Sequence, residues 1–354
     1  MKQNEKRICF LHVGMGRGGA ERVISYLANY YASNGYKVDI IVLLHDYCGY
    51  ELHSNINIIP FIRKAKNRFR NIPYWIINIR NFIKKTHPFK IISFSMYVNI
   101  FTIIACVGLK KDILISERND PSSDGRNNLD KLITKLLYPL ANKVVFQTRR
   151  AKGCFSNIIQ KKSRIIGNPI SVSCLAQETK SNKIVSVGRL EPQKNHQMLL
   201  KAFAKVHQYY PNLQLEIYGV GSLLNTLKLQ CENLGISQNV HFMGSKSNIH
   251  ECIKDALAFV LPSDFEGLSN ALLEAMMMGL PCISTNCAGS DEIIINKQNG
   301  LIVNIGDATE MANAIIQLID NRELSKCIGC NAAQSMSAYK KEVILQQWCD
   351  FIDA

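Results

Sequence analysis

The sequence has no Asp or Glu between Leu52 and Lys111, although eleven Lys and Arg residues fall in that stretch. Residues 1–180 carry 29 Lys and Arg against 11 Asp and Glu, whereas residues 181–354 carry 13 against 17. Solvated surfaces usually mix both signs. The missing acids therefore favour an anionic partner for the first half, and a phospholipid surface, a pyrophosphate or a nucleic acid would each fit. A merely solvated basic face is the alternative.

Metal-binding cysteine sets are also lacking. Of twelve cysteines, only Cys327 and Cys330 form a Cys-x-x-Cys pair, and neither a second pair nor a nearby histidine completes a set of ligands. No Asp-x-Asp stands between an apolar strand and a loop. We expect no metal and no cofactor, and scattered cysteines of this kind are typical of a reduced, cytoplasmic protein.

Long apolar runs are scarce. The segment Met1–Arg7 leads into a short apolar run and then glycines, which indicates a first strand rather than a signal peptide. Ile91–Leu109 is nearly apolar and about as long as a membrane span. Its polar members, which include Ser93 and Ser95, favour a buried strand followed by a helix over a transmembrane helix.

Strand-like apolar runs alternate with helical patterns along the whole chain. In the first half the runs are Ile8–Val13, Val38–Leu44, Ile56–Pro60, Ile91–Ser95, Ile113–Ser116 and Val144–Gln147. In the second half they are Ile184–Val187, Leu213–Tyr218, Val240–Met243, Leu257–Leu261, Pro281–Ser284 and Leu301–Val303. This repetition predicts an α/β protein with two doubly wound parallel-sheet, Rossmann-like domains.

Charged residues follow several strands of the predicted second domain. Arg189 and Lys194 come after one strand, Gly219 ends another, and Glu266 and Glu274 lie at the mouth and about two turns inside a helix. Ligands of open α/β sheets bind at the carboxyl ends of the strands, and a helix N-terminus attracts anions. An Arg fork with a Lys point charge suits a diphosphate leaving group. The pattern predicts a site for a nucleotide-sugar diphosphate.

Glycines follow the first strand of the first domain. Gly14, Gly16 and Gly19 formally satisfy G-x-G-x-x-G, and Gly18 adds a fourth glycine. The dinucleotide fingerprint also needs an acid at the end of the second strand, but Asp39 lies at that strand's beginning. We therefore disfavour nicotinamide binding and expect either a close backbone approach to a phosphate or sugar, or a structural turn.

These motifs resemble the large retaining glycosyltransferase family four, also called glycosyl transferases group one, in its bacterial surface-glycan type. The resemblance covers nearly the whole chain and is strongest from Val185 to Asp307. The matching motifs are Arg189 with Lys194, Glu266 with Glu274, Gly279-Leu280-Pro281 and Gly18–Glu21. The resemblance implies the GT-B fold, in which two Rossmann-like domains face a cleft. We expect these domains over residues 1–172 and 184–338, a linker over 173–183, and a last helix over 339–354 that crosses back to the first domain.

The resemblance also implies roles for single residues. Arg189 and Lys194 would hold the donor diphosphate, and Glu266 would contact the transferred sugar. The amides of Gly267 and Leu268 would contact the phosphate, and Glu274 would bind the ribose. The glycines that would approach the nucleotide sugar closely are Gly16, Gly18, Gly19 and Gly219. Glu117 ends a strand where many relatives place a histidine near the acceptor, so a catalytic role and a structural ion pair both stand. No carboxylate pair suits a double displacement, which favours front-face departure and attack.

The main hypothesis is a glycosyltransferase at the inner face of the cytoplasmic membrane, which transfers a hexose or N-acetylhexosamine from a UDP-sugar to a polyprenyl-diphosphate-linked glycan. The Arg63–Lys90 segment supports a lipid surface, because it mixes cations with an aromatic-rich apolar face that includes Trp75 and Phe82. Its alternative is an ordinary core helix with a basic outer face. A soluble or glycolipid acceptor, a non-catalytic nucleotide-sugar-binding protein and a nucleic-acid-binding protein are the other readings, although no nucleic-acid recognition module is apparent.

Overall fold

The chain forms two compact units in the computed structural model, which describes residues 6–16, 18–62, 71–177, 181–287 and 289–354. The first unit comprises Met1–Pro169 and Glu342–Ala354, and the second comprises Ile170–Lys341. Each unit is a parallel sheet with helices on both faces.

Strands and helices alternate through the first unit. Its elements are β1 (Arg7–His12), α1 (Gly19–Ser33), β2 (Lys37–Val42), β3 (Ile56–Pro60), α2 (Ile72–Thr86), β4 (Lys90–Phe94), α3 (Met96–Cys106), β5 (Asp112–Ser116), α4 (Asn128–Leu137), β6 (Lys143–Phe146), α5 (Arg149–Gly153), α6 (Asn157–Lys161) and β7 (Ser163–Ile165). The sheet order is β3-β2-β1-β4-β5-β6-β7.

The second unit repeats the same plan. Its elements are β8 (Lys183–Val187), α7 (His196–His207), β9 (Gln214–Tyr218), α8 (Leu224–Asn233), β10 (Val240–Gly244), α9 (Ile249–Ile253), β11 (Ala258–Leu261), α10 (Asn270–Met278), β12 (Cys282–Thr285), α11 (Ser290–Ile293), β13 (Leu301–Val303), α12 (Ala308–Asp320) and α13 (Arg322–Ser335). The sheet order is β10-β9-β8-β11-β12-β13. A last helix, α14 (Lys341–Asp353), packs in the core of the first unit through Trp348.

Both sheets contain a point at which the strand order reverses. It lies between β1 and β4 in the first unit and between β8 and β11 in the second. Connections leave such a point toward opposite sides, so a crevice opens beyond the carboxyl ends of the two strands. The loops that carry Arg189 and Glu266 follow β8 and β11, the two strands at this point in the second unit.

The predicted fold class is confirmed, and all twelve predicted strands are present within a few residues. Their apolar runs are continuous because both faces of each sheet are covered by helices. The sequence analysis missed β7, which has only three residues, of which Arg164 and Ile165 are exposed. A strand at the edge of a sheet with so little burial leaves no apolar pattern to detect.

The segment expected to link the domains is residues 173–183. Its described residues 173–177 lie on the second unit. The Ala176 amide donates to the Met278 carbonyl at 2.7 Å, and the Gln177 amide donates to the Lys254 carbonyl at 2.9 Å. The division between the units falls after Pro169 instead of after residue 172. Residues 173–177 are therefore docked on the second unit and do not form a free connection.

For the described part of the segment expected to face lipid, the structure favours the alternative of a core helix. Trp75 is 5% exposed, packs in the first unit's core, and donates its indole N–H to the Phe61 carbonyl at 2.9 Å. The Phe82 ring packs against Phe61 at 6.2 Å between centroids. The apolar side of α2 is used by the core, and residues 63–70 of the expected segment lie outside the described residues.

The apolar stretch Ile91–Leu109 contains most of β4 and all of α3, as the strand-then-helix interpretation predicts. In the described part of the chain, no helix combines the length and apolar character that a membrane span requires.

Candidate active site

Two loops of the second unit are tied together where β8 and β11 end. The Asp264 amide donates to the Gln193 carbonyl at 2.9 Å, and the Gln193 side-chain amide donates to the Phe265 carbonyl at 2.9 Å. The Asn195 side chain adds a bond to Asp264 Oδ1 at 2.6 Å. These contacts hold the cation-bearing loop and the carboxylate-bearing loop as one assembly, as the position at adjacent carboxyl ends predicts.

Lys194 and Glu266 form an ion pair at this junction. The Lys194 ammonium donates to Glu266 Oε1, and the Ser263 hydroxyl donates to the same oxygen at 2.8 Å. The two charged side chains are only 13% and 10% exposed, so their attraction is screened less than that of a surface pair. A diphosphate that binds Lys194 must therefore compete with Glu266.

Arg189 lies at the exposed rim of the same loop. Its guanidinium Nη2 is 3.5 Å from Gln193 Oε1, which places it on the residue that ties the two loops. The structure thus brings Arg189, Lys194 and Glu266 to one edge of the sheet.

Glu274 lies in the middle of α10 and is 8% exposed. His250 Nε2 is 3.4 Å from Glu274 Oε2. The Ser173 amide donates to His250 Nδ1 at 3.2 Å, so in the neutral ring the proton is on Nε2, which faces Glu274. At this distance His250 Nε2 makes no hydrogen bond within the described residues, so the ring lies beside the carboxylate without bonding to it. Sequence reasoning missed His250, because no local spacing connects α9 with α10.

The N-terminus of α10 has the properties of an anion site. Ser269, its N-cap residue, is 6% exposed, and its hydroxyl oxygen has no hydrogen-bond partner within the described ranges. Gly267 and Leu268 directly precede it. Amides at a helix N-terminus and the helix dipole attract negative charge. The position fits the phosphate contact that the resemblance implies for Gly267 and Leu268.

Gly289 fixes the path of Gly267. It has φ +89°, and a Cβ atom there would lie 1.9 Å from the Gly267 carbonyl oxygen. The loop after β12 therefore touches the loop after β11 backbone to backbone. Gly219 plays a similar part after β9, since its Cβ would lie 1.9 Å from the Gly188 carbonyl oxygen. The close approach at Gly219 is thus made by the chain's own backbone.

His196 opens α7 directly after the cationic loop. Burial, together with the charge of Lys194, lowers the pKa of His196 to about 4. The ring is therefore neutral at physiological pH, and its burial at a helix N-terminus agrees with that state, because the helix dipole disfavours a cation there. His196 adds no positive charge beside Lys194.

The glycine loop of the first unit accommodates two side chains of the chain itself. A Cβ atom at Gly14 would lie 2.0 Å from the His45 ring, and one at Gly18 would lie 2.2 Å from Glu21 Oε2. Gly16 is more open, with the His45 ring 3.8 Å from the position of a Cβ atom. Gly19 begins α1. Internal packing therefore accounts for Gly14 and Gly18, and Gly16 remains the glycine with room for a ligand.

Glu117 belongs to a buried network after β5. Tyr138 donates its hydroxyl to Glu117 Oε2 at 2.8 Å, and Arg126 Nη2 lies 3.4 Å from the same oxygen. Arg126 also pairs with Asp124 at 2.6 Å. Burial raises the pKa of Glu117, although Arg126 and Tyr138 act in the opposite direction. The geometry is that of a structural ion pair, one of the two roles that the sequence left open.

Arg118 is a buried cation that sequence reasoning overlooked. It is 9% exposed, donates to Asn168 Oδ1, and lies 5.8 Å from the centre of the Phe94 ring. Its Nε has no hydrogen-bond partner within the described part of the chain. Burial lowers the pKa of Arg118 to about 10, so it stays charged at neutral pH. The signal was present, since Arg118 directly follows the candidate Glu117 at a strand's carboxyl end.

Within the described residues, no group of three His, Cys, Asp or Glu side chains is placed to hold a metal ion. Cys327 and Cys330 are exposed free thiols on α13.

Known proteins are similar to this chain in sequence and in fold. Residues 174–335 match the family glycosyl transferases group 1. A Haemophilus influenzae protein named as an uncharacterized glycosyltransferase is 26% identical over 97% of this chain and 99% of its own length. A Campylobacter jejuni N-acetylgalactosamine-N,N'-diacetylbacillosaminyl-diphospho-undecaprenol 4-alpha-N-acetylgalactosaminyltransferase is 26% identical over 92% of this chain and 94% of its own length.

Among solved structures, Anabaena HepE in complex with UDP and glucose has a TM-score of 0.85 and 18% identity, and the match covers 98% of this chain and 99% of that one. Two parallel α/β units with such neighbours define a GT-B fold. The resemblance to the glycosyl transferases of group 1 that the motifs indicated is confirmed by these matches.

Proposed function

We propose that the chain is a retaining glycosyltransferase that needs no metal. It moves a hexose or N-acetylhexosamine from a UDP-sugar to a polyprenyl-diphosphate-linked glycan, in bacterial surface polysaccharide or glycoprotein assembly. The observation that carries the proposal is the Lys194–Glu266 pair beside the N-terminus of α10. It puts a group for phosphate and a group for sugar hydroxyls side by side at the reversal point of the sheet.

Donor binding would redistribute this pair. The diphosphate binds at the N-terminus of α10, beside Ser269, and Lys194 and Arg189 neutralise its charge. Glu266, released from Lys194, accepts hydrogen bonds from hydroxyls of the sugar. Glu274, which lies beside His250, accepts hydrogen bonds from the ribose hydroxyls.

Transfer then breaks the bond between the sugar C1 and the phosphate oxygen, and UDP leaves with the electron pair. The acceptor hydroxyl forms a new bond to C1 on the same face, and its proton passes to the departing phosphate oxygen. Lys194 and Arg189 stabilise the charge that grows on UDP, which is the part of the reaction where fixed cations lower the barrier most. In this assignment the two cations neutralise the diphosphate leaving group, a role that a metal ion can also fill.

The acceptor side is proposed for the first unit. Glu117 supports the loop through Arg126 and Tyr138, and Arg118 is the buried cation available to an anionic acceptor. The Campylobacter jejuni relative is named for a diphospho-undecaprenol substrate. A lipid-linked acceptor would place the enzyme at the inner face of the cytoplasmic membrane.

The deciding experiment incubates the protein with a panel of UDP- and GDP-sugars and a polyprenyl-diphosphate acceptor, and follows UDP release and product formation. Proton NMR of the product checks that the anomeric configuration is retained. A donor at a hundred times its dissociation constant should also add about 2.7 kcal/mol to the free energy of unfolding. Stabilisation without UDP release would indicate a non-catalytic nucleotide-sugar-binding protein, and transfer to a free sugar or glycolipid would replace the lipid-linked acceptor.

A further inference from the structure

Helix α4 turns its leucines outward. Leu129, Leu132 and Leu136 are 62%, 52% and 63% exposed, and their spacing of three and four residues puts them on one side of the helix. The inward side buries Asp130 and Thr134, at 8% and 3% exposure, and Ile133 and Leu137 of the same helix pack against the core. Helix α4 therefore has apolar residues on its outer side as well as toward the core, whereas a surface helix normally has them toward the core alone.

Two further exposed apolar side chains extend this surface. Leu140 follows α4 and is 57% exposed, and Ile158 on α6 is 67% exposed. Helix α6 packs beside the turn Tyr138–Leu140. We call this set the leucine face; it consists of Leu129, Leu132, Leu136, Leu140 and Ile158. Contiguous exposed apolar residues of this kind mark an interaction surface.

Positive charge accompanies the leucine face on α4 and in the sequence that follows it. From Lys131 to Gln177 the sequence has nine Lys and Arg residues and no Asp or Glu. Lys131 and Lys135 are exposed on α4 and line a cavity of about 580 Å³ beside it. The preceding acids do not offset them, because the side chains of Asp120 and Asp124 are 0% and 7% exposed and paired with arginines.

This charge decides between occupants. A two-fold dimer would bring the same patch of both copies together, so lysines would face lysines with no exposed acid to pair them. An anionic bilayer supplies an apolar layer for the leucines and phosphates for the lysines. Lysines flanking an apolar helical stripe are the pattern of an interfacial helix.

We propose that the leucine face, with Lys131 and Lys135, docks the first unit onto an anionic membrane. The surface lies on α4 and α6 and uses none of the residues assigned to the donor site. It replaces α2 as the apolar contact, since the apolar side of α2 is buried in the core. The proposal deepens the proposed function and rests on the membrane placement made there, because it names the surface that contacts the lipid; docking itself requires no particular donor.

The test measures binding of the full chain to vesicles of phosphatidylglycerol and phosphatidylcholine by sedimentation. Leu129→Ser, Leu132→Ser and Leu136→Ser together should lower partitioning about tenfold or more, because each removes an apolar contact with the bilayer. The matched control replaces Leu175, Leu229 and Ile295 by Ser; these residues are 65%, 57% and 58% exposed in the second unit. The control should bind vesicles like the parent. Lys131→Ser with Lys135→Ser should weaken binding at low salt and flatten its salt dependence.

A Leu132→Trp variant reports insertion directly. Trp75 and Trp348 are 5% and 0% exposed, so brominated lipids should quench mainly the new tryptophan. The proposal is overturned if the triple serine variant binds like the parent, if the control loses as much, or if neutral vesicles bind as well as anionic ones. A parent dimer that the triple variant converts to a monomer would assign the face to a second copy. UDP binding should be unchanged in the triple variant, so failure here is distinct from failure of the proposed function.

Discussion

At the residue scale, Lys194 is the cation that pairs with Glu266 and that would also pair with the donor diphosphate. Without donor it neutralises Glu266, and with donor it would neutralise the diphosphate, so one cation serves both states. Lys194→Ala should reduce turnover by about two orders of magnitude or more, equivalent to roughly 3 kcal/mol of transition-state stabilisation. Glu274→Gln should mainly weaken nucleotide binding. Steady-state kinetics with saturating UDP-sugar checks both, and Lys201→Ala on the exposed side of α7 is the control. Near-normal rates in both variants would end the donor-site assignment.

His250 offers a finer test of the same site. Its Nε2 faces Glu274 and its Nδ1 accepts from the Ser173 amide. His250→Phe keeps a ring but removes the polar contact with Glu274 and the hydrogen bond from the Ser173 amide. We expect the dissociation constant for UDP to rise by about threefold to tenfold, in the range of a single hydrogen bond. Isothermal titration with UDP measures it, and an unchanged constant would show that the His250 contact does not contribute to UDP binding.

The buried ring of His196 predicts how the stability of the fold depends on pH. Its folded-state pKa is about 4, below the value of about 6.5 in an unfolded chain. The unfolded state therefore binds the proton first as pH falls, and the folded state loses stability between pH 6.5 and 4. The full loss is about 3 kcal/mol. Urea unfolding at several pH values should show that His196→Gln loses about that much less than the parent. Parallel pH profiles for the two proteins would contradict the assignment.

At the scale of elements, the loops after β8, β11 and β12 act as one unit because backbone contacts join them. Gly289→Ala forces a Cβ atom against the Gly267 carbonyl, which lies before the N-terminus of α10. Gly306→Ala is a matched control, since Gly306 also has positive φ, +81°, but nothing lies within 4 Å of its added Cβ. Both variants should lose about 1 kcal/mol or more of stability from the backbone strain.

Only Gly289→Ala should also lower donor affinity, by about tenfold, because only it displaces the amides proposed to bind the phosphate. Thermal unfolding with and without UDP separates the two effects. Equal donor affinity in the two variants would mean that the α10 N-terminus does not depend on the loop after β12.

At the scale of the whole molecule, the predicted role of fixed cations can be tested by removing metal. Transfer should continue in excess EDTA at the rate measured without it if, as proposed, Lys194 and Arg189 neutralise the diphosphate. Added Mg²⁺ or Mn²⁺ should not raise the activity of the parent. A strict requirement for either ion would show that the cations have another role. Lys194→Ala provides the complementary assay, since rescue of its activity by Mg²⁺ would indicate that the charge alone matters.

The sequence by itself determined the two sheets and the edge on which the site lies. Apolar runs identify buried parallel strands, and parallel strands direct every carboxyl-end loop to one edge, so Arg189, Lys194 and Glu266 had to share it. Glu274 followed from its place on the helix after β11. These inferences need only local patterns and the geometry of parallel sheets.

Only the tertiary structure decided which side chains touch and which helix faces turn outward. The contact between His250 and Glu274 joins α9 to α10, which no spacing in the sequence encodes. Both α2 and α4 have an apolar side, yet α2 buries Trp75 while α4 exposes Leu132. The helical period defines an apolar side without stating what lies against it, since that depends on which elements the fold packs next to the helix.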